Sequence, residues 1–285
     1  MEAPAGLRIR FWGVRGSFPV PGPDTAQVGG NSSCVELRAG GHLLVFDGGT
    51  GIINLGRSLM NGNGPRHLHL FLSHLHHDHI EGLRFFAPFY DKSWRCAVYG
   101  PNSGPDEFQR TLETTMEPRL FPVSLGDLQA TIEIRDLPAS DRMILEGEPP
   151  VVIETQHSRA HPKFGVQLYR ISCGRSSVVY ATDVEAPFGG FEDVVAFAKG
   201  ADVLIHDSQY TDDEYHREVA NKKGWGHSTV RMAAEVARAA GVGELIMYHH
   251  DPCRTDDQIP ELEQLAQSIF PRTRAAREGL TITLE

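Results

Sequence analysis

Four histidines and one aspartate lie within six positions of the segment FLSHLHHDHIEGLRFF, which begins at residue 71. The whole chain of 285 residues contains only 14 histidines, so this concentration is unusual. Neutral imidazole and carboxylate are ligands that suit zinc, manganese and iron. The apolar residues before the cluster predict a rigid strand, after which a tight loop turns alternate side chains toward one ion. The segment therefore predicts a metal site.

Other candidate ligands stand where further predicted strands end. These residues are His157, Asp183, His206 with Asp207, and His249 with His250. Ligands that gather at strand ends along one sheet edge are a common way for α/β proteins to build a site. A chance cluster of histidines would not be accompanied by candidate ligands at the ends of several other strands. The distant residues therefore support the prediction of a metal site.

The elements that must position these residues alternate between strand and helix patterns in the first half of the chain. Residues 128–182 predict several strands, and HSTVRMAAEVARAAG predicts a helix. One face of that helix is apolar, formed by Val230, Ala233, Ala234, Ala237 and Ala240. Sheets flanked by helices predict a layered α/β protein. Residues 101–125 are helix-like with interrupting prolines, and we expect a lid or insertion there.

Composition narrows the classes of protein. The formal net charge is −10, whereas proteins that hold long nucleic acids usually carry a basic surface. The four cysteines are isolated, and the N-terminal residues do not resemble a secretory signal. No run of about 18 apolar residues is present, so no membrane span is predicted. We expect a reducing, cytoplasmic setting.

The pattern HxHxDH at residues 74–79, followed by a lone histidine, an aspartate and a final histidine, resembles the metallo-β-lactamase superfamily of metal-dependent hydrolases. The segments FWGVRGSFP and VFDGGTG are similar to the family's opening strands and the loop below its metals. The resemblance covers nearly the whole chain. It implies a single domain over residues 1–285, folded as a four-layer αββα sandwich with a metal pair between the sheet edges.

The resemblance also implies a ligand set for two divalent ions, with zinc first and manganese or iron as alternatives. One ion would be held by His74, His76 and His157, the other by Asp78, His79 and His249, and Asp183 would bridge them. His161 is the alternative to His157, and His250 the alternative to His249. His77 points away from the metals in the family pattern. Asp183 is alternatively a helix N-cap.

Two later segments indicate the branch of the family. ADVLIHDSQYTDDEY and GWGHSTVRMAAEVARAAGVGELIMYHH resemble segments of ribonuclease Z and its small phosphodiesterase relatives, which implies phosphodiester hydrolysis. The catalytic residues expected on this basis are Asp78, His206 and His227, with His206 as general acid for the leaving oxygen. His227 would contact the phosphate or orient His206. The alternatives are a hydrogen-bonded core histidine for His206 and a helix entry for His227, with Ser228 as N-cap.

The expected substrate is a small cyclic or linear nucleotide-type phosphodiester, because the long basic arm of ribonuclease Z is missing and the net charge is −10. No large nucleic acid and no membrane partner are expected, and a homodimer is predicted. The alternatives are an RNA or single-stranded DNA nuclease, a carboxylic ester or thioester hydrolase of the lactonase type, and a metal-binding sensor. Arg15, Phe18, Tyr210 and Trp225 are candidates to contact substrate.

Overall fold

Two seven-stranded sheets form the centre of the computed structural model, which describes residues 6–101, 104 and 107–285. The strands are β1 (Leu7–Gly13), β2 (Cys34–Ala39), β3 (His42–Phe46), β4 (His67–Phe71), β5 (Arg95–Pro101), β6 (Thr131–Leu137), β7 (Ser140–Leu145), β8 (Val151–Ser158), β9 (Val166–Cys173), β10 (Ser176–Ala181), β11 (Val203–Asp207), β12 (Glu244–Tyr248), β13 (Thr273–Ala275) and β14 (Thr281–Leu284). The first sheet has the order β14-β1-β2-β3-β4-β5-β6, and the second has the order β13-β12-β11-β10-β9-β8-β7.

Helices cover the outer face of each sheet. They are α1 (Gly51–Met60), α2 (His77–Ile80), α3 (Glu107–Thr115), α4 (Gly190–Phe197), α5 (Asp212–His216), α6 (Val230–Ala240) and α7 (Ile259–Ile269). α1 and α3 pack on the first sheet, whereas α4, α6 and α7 pack on the second. A third apolar cluster fills the space between the sheets. The predicted αββα sandwich is confirmed.

The helix α6 shows how the sequence specifies its own boundaries. Thr229 is the N-cap, and its hydroxyl accepts a hydrogen bond from the amide of Met232. The helix ends at Gly241, whose φ of 63° is left-handed and suits glycine. The predicted apolar face is buried against the second sheet. The expected N-cap, Ser228, was one residue too early.

Parallel strands in both sheets place polar side chains at one edge of the sandwich. β3 to β6 run parallel in the first sheet, and β10 to β13 run parallel in the second. The chain leaves β4, β10, β11 and β12 at their carboxyl ends, where His74, Asp183, Asp207 and His249 follow or close the strand. The two sheets therefore supply polar groups to the same crevice.

The segment 101–125 contains α3, whose Phe108 and Leu112 are buried against the first sheet. Residues 102, 103, 105 and 106, part of the expected lid, lie outside the described residues. That this segment acts as a lid stays a prediction. Among the described residues, no helix is long and apolar enough to cross a membrane.

Candidate metal centre

The first group of the site consists of three histidines at the end of β4 and after β8. The ring centroids of His74, His76 and His161 are separated by 4.5, 4.7 and 4.9 Å. Nε2 of His161 lies 3.1 Å from Nδ1 of His76. Nδ1 of His161 donates to the carbonyl of Gly226, at 3.1 Å, which turns Nε2 toward the group.

The second group combines Asp78, His79 and His249. Nε2 of His249 lies 3.1 Å from Asp78 Oδ2 and 3.2 Å from Nε2 of His79. Each imidazole is oriented through its other nitrogen. Nδ1 of His79 donates to Asp47 Oδ2 at 2.8 Å, and Nδ1 of His249 donates to Gln209 Oε1 at 3.0 Å. Both Nε2 atoms therefore face the centre of the group.

Asp183 lies between the two groups. Its Oδ2 is 3.6 Å from Nε2 of His74, in the first group. Its Oδ1 is 3.3 Å from Nε2 of both His79 and His249, in the second group. Asp183 adopts a φ of 54°, in the left-handed region that disfavours most residues, just after β10. One carboxylate thus contacts both groups with separate oxygens.

The donor set fits divalent cations. Nε2 of His74 is buried and has no hydrogen-bond partner among the described residues, although an imidazole nitrogen normally finds one. Burial, then the neighbouring His79, lowers the pKa of His74 well below its usual range, so its ring is neutral and able to ligate. Imidazole nitrogens and carboxylate oxygens that converge in this way form a donor set suited to divalent cations.

Electrostatics differ between the two groups. Burial lowers the pKa of His161 to about 4, because no carboxylate outweighs desolvation there. Burial also opposes the charged form of His79, but Asp78, Asp183 and Asp47 outweigh it and raise its pKa well above the usual range. The same opposition, with Asp183 as the largest attractive partner, raises the pKa of His249 to about 10. The carboxylates of the second group therefore favour a positive charge there, carried either by a proton or by a metal cation.

A buried carboxylate anchors the second group from behind. Asp47, just after β3, accepts hydrogen bonds from the amide and hydroxyl of Ser73 at 2.7 and 2.8 Å. Its Oδ2 also accepts from His79 and from the hydroxyl of Tyr180, at 2.8 and 2.7 Å. Since Tyr180 belongs to β10, this contact joins the two sheets directly beneath the site.

A family model described as a beta-lactamase superfamily domain matches residues 42–250, more than half of the chain. The chain belongs to this superfamily. Ribonuclease Z of Gemmatimonas aurantiaca is 28% identical, over 98% of this chain and 96% of that protein. The metallo-beta-lactamase fold protein YhfI of Bacillus subtilis has a TM-score of 0.69 at 20% identity, covering 98% of this chain and 99% of its own. Human tRNase Z, short form, gives 0.66 at 20% identity, over 98% and 99%.

These relatives confirm the predicted metal-dependent hydrolase and correct the expected partner. The expectation that no large nucleic acid would be a partner is wrong, because the relatives include ribonuclease Z and a tRNase. Net charge failed as an indicator since it sums over the whole surface, whereas nucleic acids are recognised by local patches.

The superfamily site brings together six of the seven predicted ligands, and His157 is the exception. His157 lies within β8, paired with Gln167 of β9, and its side chain lines a neighbouring cavity. His161, the alternative, takes the expected place because β8 continues to Ser158 and the chain reaches the first group only afterwards. Nε2 of His250 donates to the backbone carbonyl of Ala276 at 2.9 Å, and this side chain lies outside both groups.

His206 does not reach the site. Alternation along β11 places His206 on the helix-covered face, where it is fully buried and Nδ1 lies 2.6 Å from the Asp207 carbonyl. The next residue, Asp207, faces the site instead. Its Oδ2 lies 2.7 Å from Nδ1 of His227, which itself lies 3.8 Å from Asp183. His206 therefore lies outside the site, whereas Asp207 and His227 converge there with Asp183 and His249.

The four residues predicted to contact substrate differ in their exposure to solvent. Arg15 is fully buried and donates to the backbone carbonyls of Gly29 and Arg254, at 2.7 and 2.6 Å, so it holds loops together. Tyr210 is buried as well. Phe18 and Trp225 are about half exposed and stay available to a ligand.

Proposed function

We propose that the protein hydrolyses nucleotide-type phosphodiester bonds with two divalent cations. His74, His76 and His161 would hold one cation, and Asp78, His79 and His249 the other. The observation that carries the proposal is the position of Asp183, whose two oxygens face the two groups separately. Such an arrangement suits a pair of ions better than one tetrahedral ion, which needs only four ligands.

A bound pair of divalent ions supplies hydroxide at neutral pH and neutralises charge on phosphate oxygens. Protonation of the leaving oxygen falls to residues of the chain itself. Asp207 accepts from Nδ1 of His227, which leaves Nε2 of that ring free to face a substrate. Burial opposes ionisation of Asp207, but His227 and His249 outweigh it and lower its pKa, so the carboxylate stays charged. We assign His227 as the proton donor to the leaving oxygen, positioned by Asp207.

A second buried carboxylate fixes the segment that carries His227. Glu185 accepts hydrogen bonds from the hydroxyl of Tyr215 at 2.6 Å and from the amides of Gly224 and Gly226 at 2.7 Å. Because Gly226 directly precedes His227 and its carbonyl orients His161, Glu185 aligns both histidines. The proposed proton donor and one ligand of the first group are therefore held in a fixed position relative to each other.

The proposal is tested with bis(p-nitrophenyl) phosphate, cyclic nucleotides and dinucleotides, after metal analysis of the purified protein. We expect two equivalents of zinc, manganese or iron and metal-dependent turnover of at least one phosphodiester. p-Nitrophenyl acetate is the matched control, because it releases the same chromophore from a carboxylic ester. Faster hydrolysis of the acetate than of every phosphodiester would overturn the proposal.

RNA is the second candidate substrate, favoured by the relatives named ribonuclease Z. A structured transfer-RNA precursor with a 3′ trailer and an unstructured RNA of equal length separate the two cases. Cleavage of the precursor at one position, with slow turnover of dinucleotides, would make RNA the substrate. Equal turnover of the dinucleotides and both RNAs would leave a general phosphodiesterase.

A further inference from the structure

A cavity of about 510 Å³ lies beside the first histidine group. His161 belongs to both the cavity wall and the group, so the two spaces share a boundary. The segment from Pro162 to Gly165 separates this cavity from a second one, of about 310 Å³, that reaches His74 and His76. Anything bound in the larger cavity therefore lies next to the proposed cations.

Gln167 on β9 lines the cavity with a polar group that lacks a partner. Its side chain is 1% exposed, and Nε2 makes no hydrogen bond to any of the described residues. A buried amide donor without a partner is costly, which is uncommon outside sites that bind something. His157, the cross-strand neighbour of Gln167, lines the same wall.

Two cationic side chains line the same cavity as this unpaired donor. Arg159 and Lys163 line the cavity and are exposed, although the chain as a whole carries a net charge of −10. The nearby Asp193 already accepts a hydrogen bond from Ser158 at 2.5 Å. Lys163 has a left-handed φ of 65°, and Gly165, two residues later, has a φ of 72°. The turn holds Lys163 at the rim of both cavities.

We propose that this cavity is an anion subsite that binds a second phosphate group of the substrate, through Gln167, His157, Arg159 and Lys163. The inference rests on the proposed phosphodiesterase activity, because the phosphodiester under attack would lie at the cations. An amide donor, an imidazole and two cations around one cavity match the oxygens of a phosphate. Phe164, 70% exposed between the cavities, offers a face on which a base stacks.

The test compares thymidylyl-thymidine with the same dinucleotide carrying a terminal 5′- or 3′-phosphate. We expect one of the phosphorylated forms to have a KM about tenfold lower than the plain dinucleotide, with kcat little changed. Lys163→Gln, Arg159→Gln and Gln167→Glu should abolish that advantage and leave the KM of the plain dinucleotide unchanged. Lys199→Gln, which removes an exposed charge outside the cavity, is the matched control and should keep it.

Equal KM values in the wild-type protein, or an advantage that survives all three cavity variants, would overturn the subsite. Lys163→Gln and Arg159→Gln alter exposed side chains, so they remain informative if Gln167→Glu fails to fold. If none of the dinucleotides is hydrolysed, titration calorimetry with inorganic phosphate on chelated protein decides the subsite independently of the proposed function. Binding that Lys163→Gln weakens and Lys199→Gln does not would support it, and no binding would overturn it.

Discussion

The first and second sheets contribute to the site in different ways. The first sheet supplies four of the site's groups from one contiguous segment, residues 74–79, which follows β4 and enters α2. The second sheet supplies His161, Asp183, Asp207, His227 and His249 from five separate places in the chain. A short loop fixes its own geometry, whereas scattered residues depend on strand ends and side-chain alternation. The two predicted site residues that lie outside the site, His157 and His206, both belong to the second sheet.

The largest effect should come from removing the residue that both groups share. Asp183 follows β10 of the second sheet. The substitution Asp183→Ala should cause loss of metal and lower kcat/KM on the order of a thousandfold, which corresponds to about 4 kcal/mol in the activation barrier. His74→Ala in the first sheet should match it. Metal content by mass spectrometry and hydrolysis of bis(p-nitrophenyl) phosphate measure both. If Asp183→Ala retained its full metal content, the loop of the first sheet would suffice alone.

The second prediction separates the two histidines that sequence interpretation exchanged. His161→Ala should remove one ligand of the first group, lower the metal content by about one equivalent and reduce kcat by about a hundredfold. His157→Ala should keep the metal content and kcat of the wild type. The reverse pattern would return His157 to the ligand set.

The third prediction concerns the neighbours on β11. Asp207→Asn should lower kcat by about a hundredfold, with metal retained, since His227 loses its orienting carboxylate. The loss should be smaller for a nitrophenolate leaving group than for an alkoxide, because the former needs no proton. His206→Leu should leave kcat unchanged and alter the free energy of unfolding by about 1 kcal/mol. A leaving-group dependence in His206→Leu would contradict the assignment.

The smallest effect is expected at His69, on β4 of the first sheet. Burial lowers the pKa of His69 to about 4, helped by His67, His42 and Arg135, so the folded protein resists a proton that the unfolded chain accepts near pH 6.5. Stability should therefore be complete above pH 6.5 and fall as the pH drops to about 4. His69→Leu should remove up to about 2 kcal/mol of that loss, after discounting for residual solvation.

Urea unfolding of chelated protein at pH 7.5 and 4.5 measures this difference. Substitution of the exposed His216 by alanine is the control and should leave the pH dependence of the wild type. An identical pH dependence in His69→Leu would show that other groups account for the acid destabilisation.

The fold and the first-sheet ligands could be predicted because local patterns specify them. HxHxDH needs only the strand before it, and α6 carries its own cap and apolar face. β11 offered no such guide. Its residues are buried on both faces, so hydrophobic alternation does not reveal whether His206 or Asp207 turns inward. At β8, the position of His161 depended on where the strand ends, and strand boundaries are weakly encoded.

Asp47 has a consequence for assembly of the chain. One carboxylate receives His79 from the first sheet and Tyr180 from the second. A slip of one sheet against the other would break the Tyr180 contact and free the imidazole of His79 to turn. Asp47 thus couples the packing of the two sheets to the orientation of His79. The full set of ligands is available to a cation only when the two sheets are correctly packed against each other.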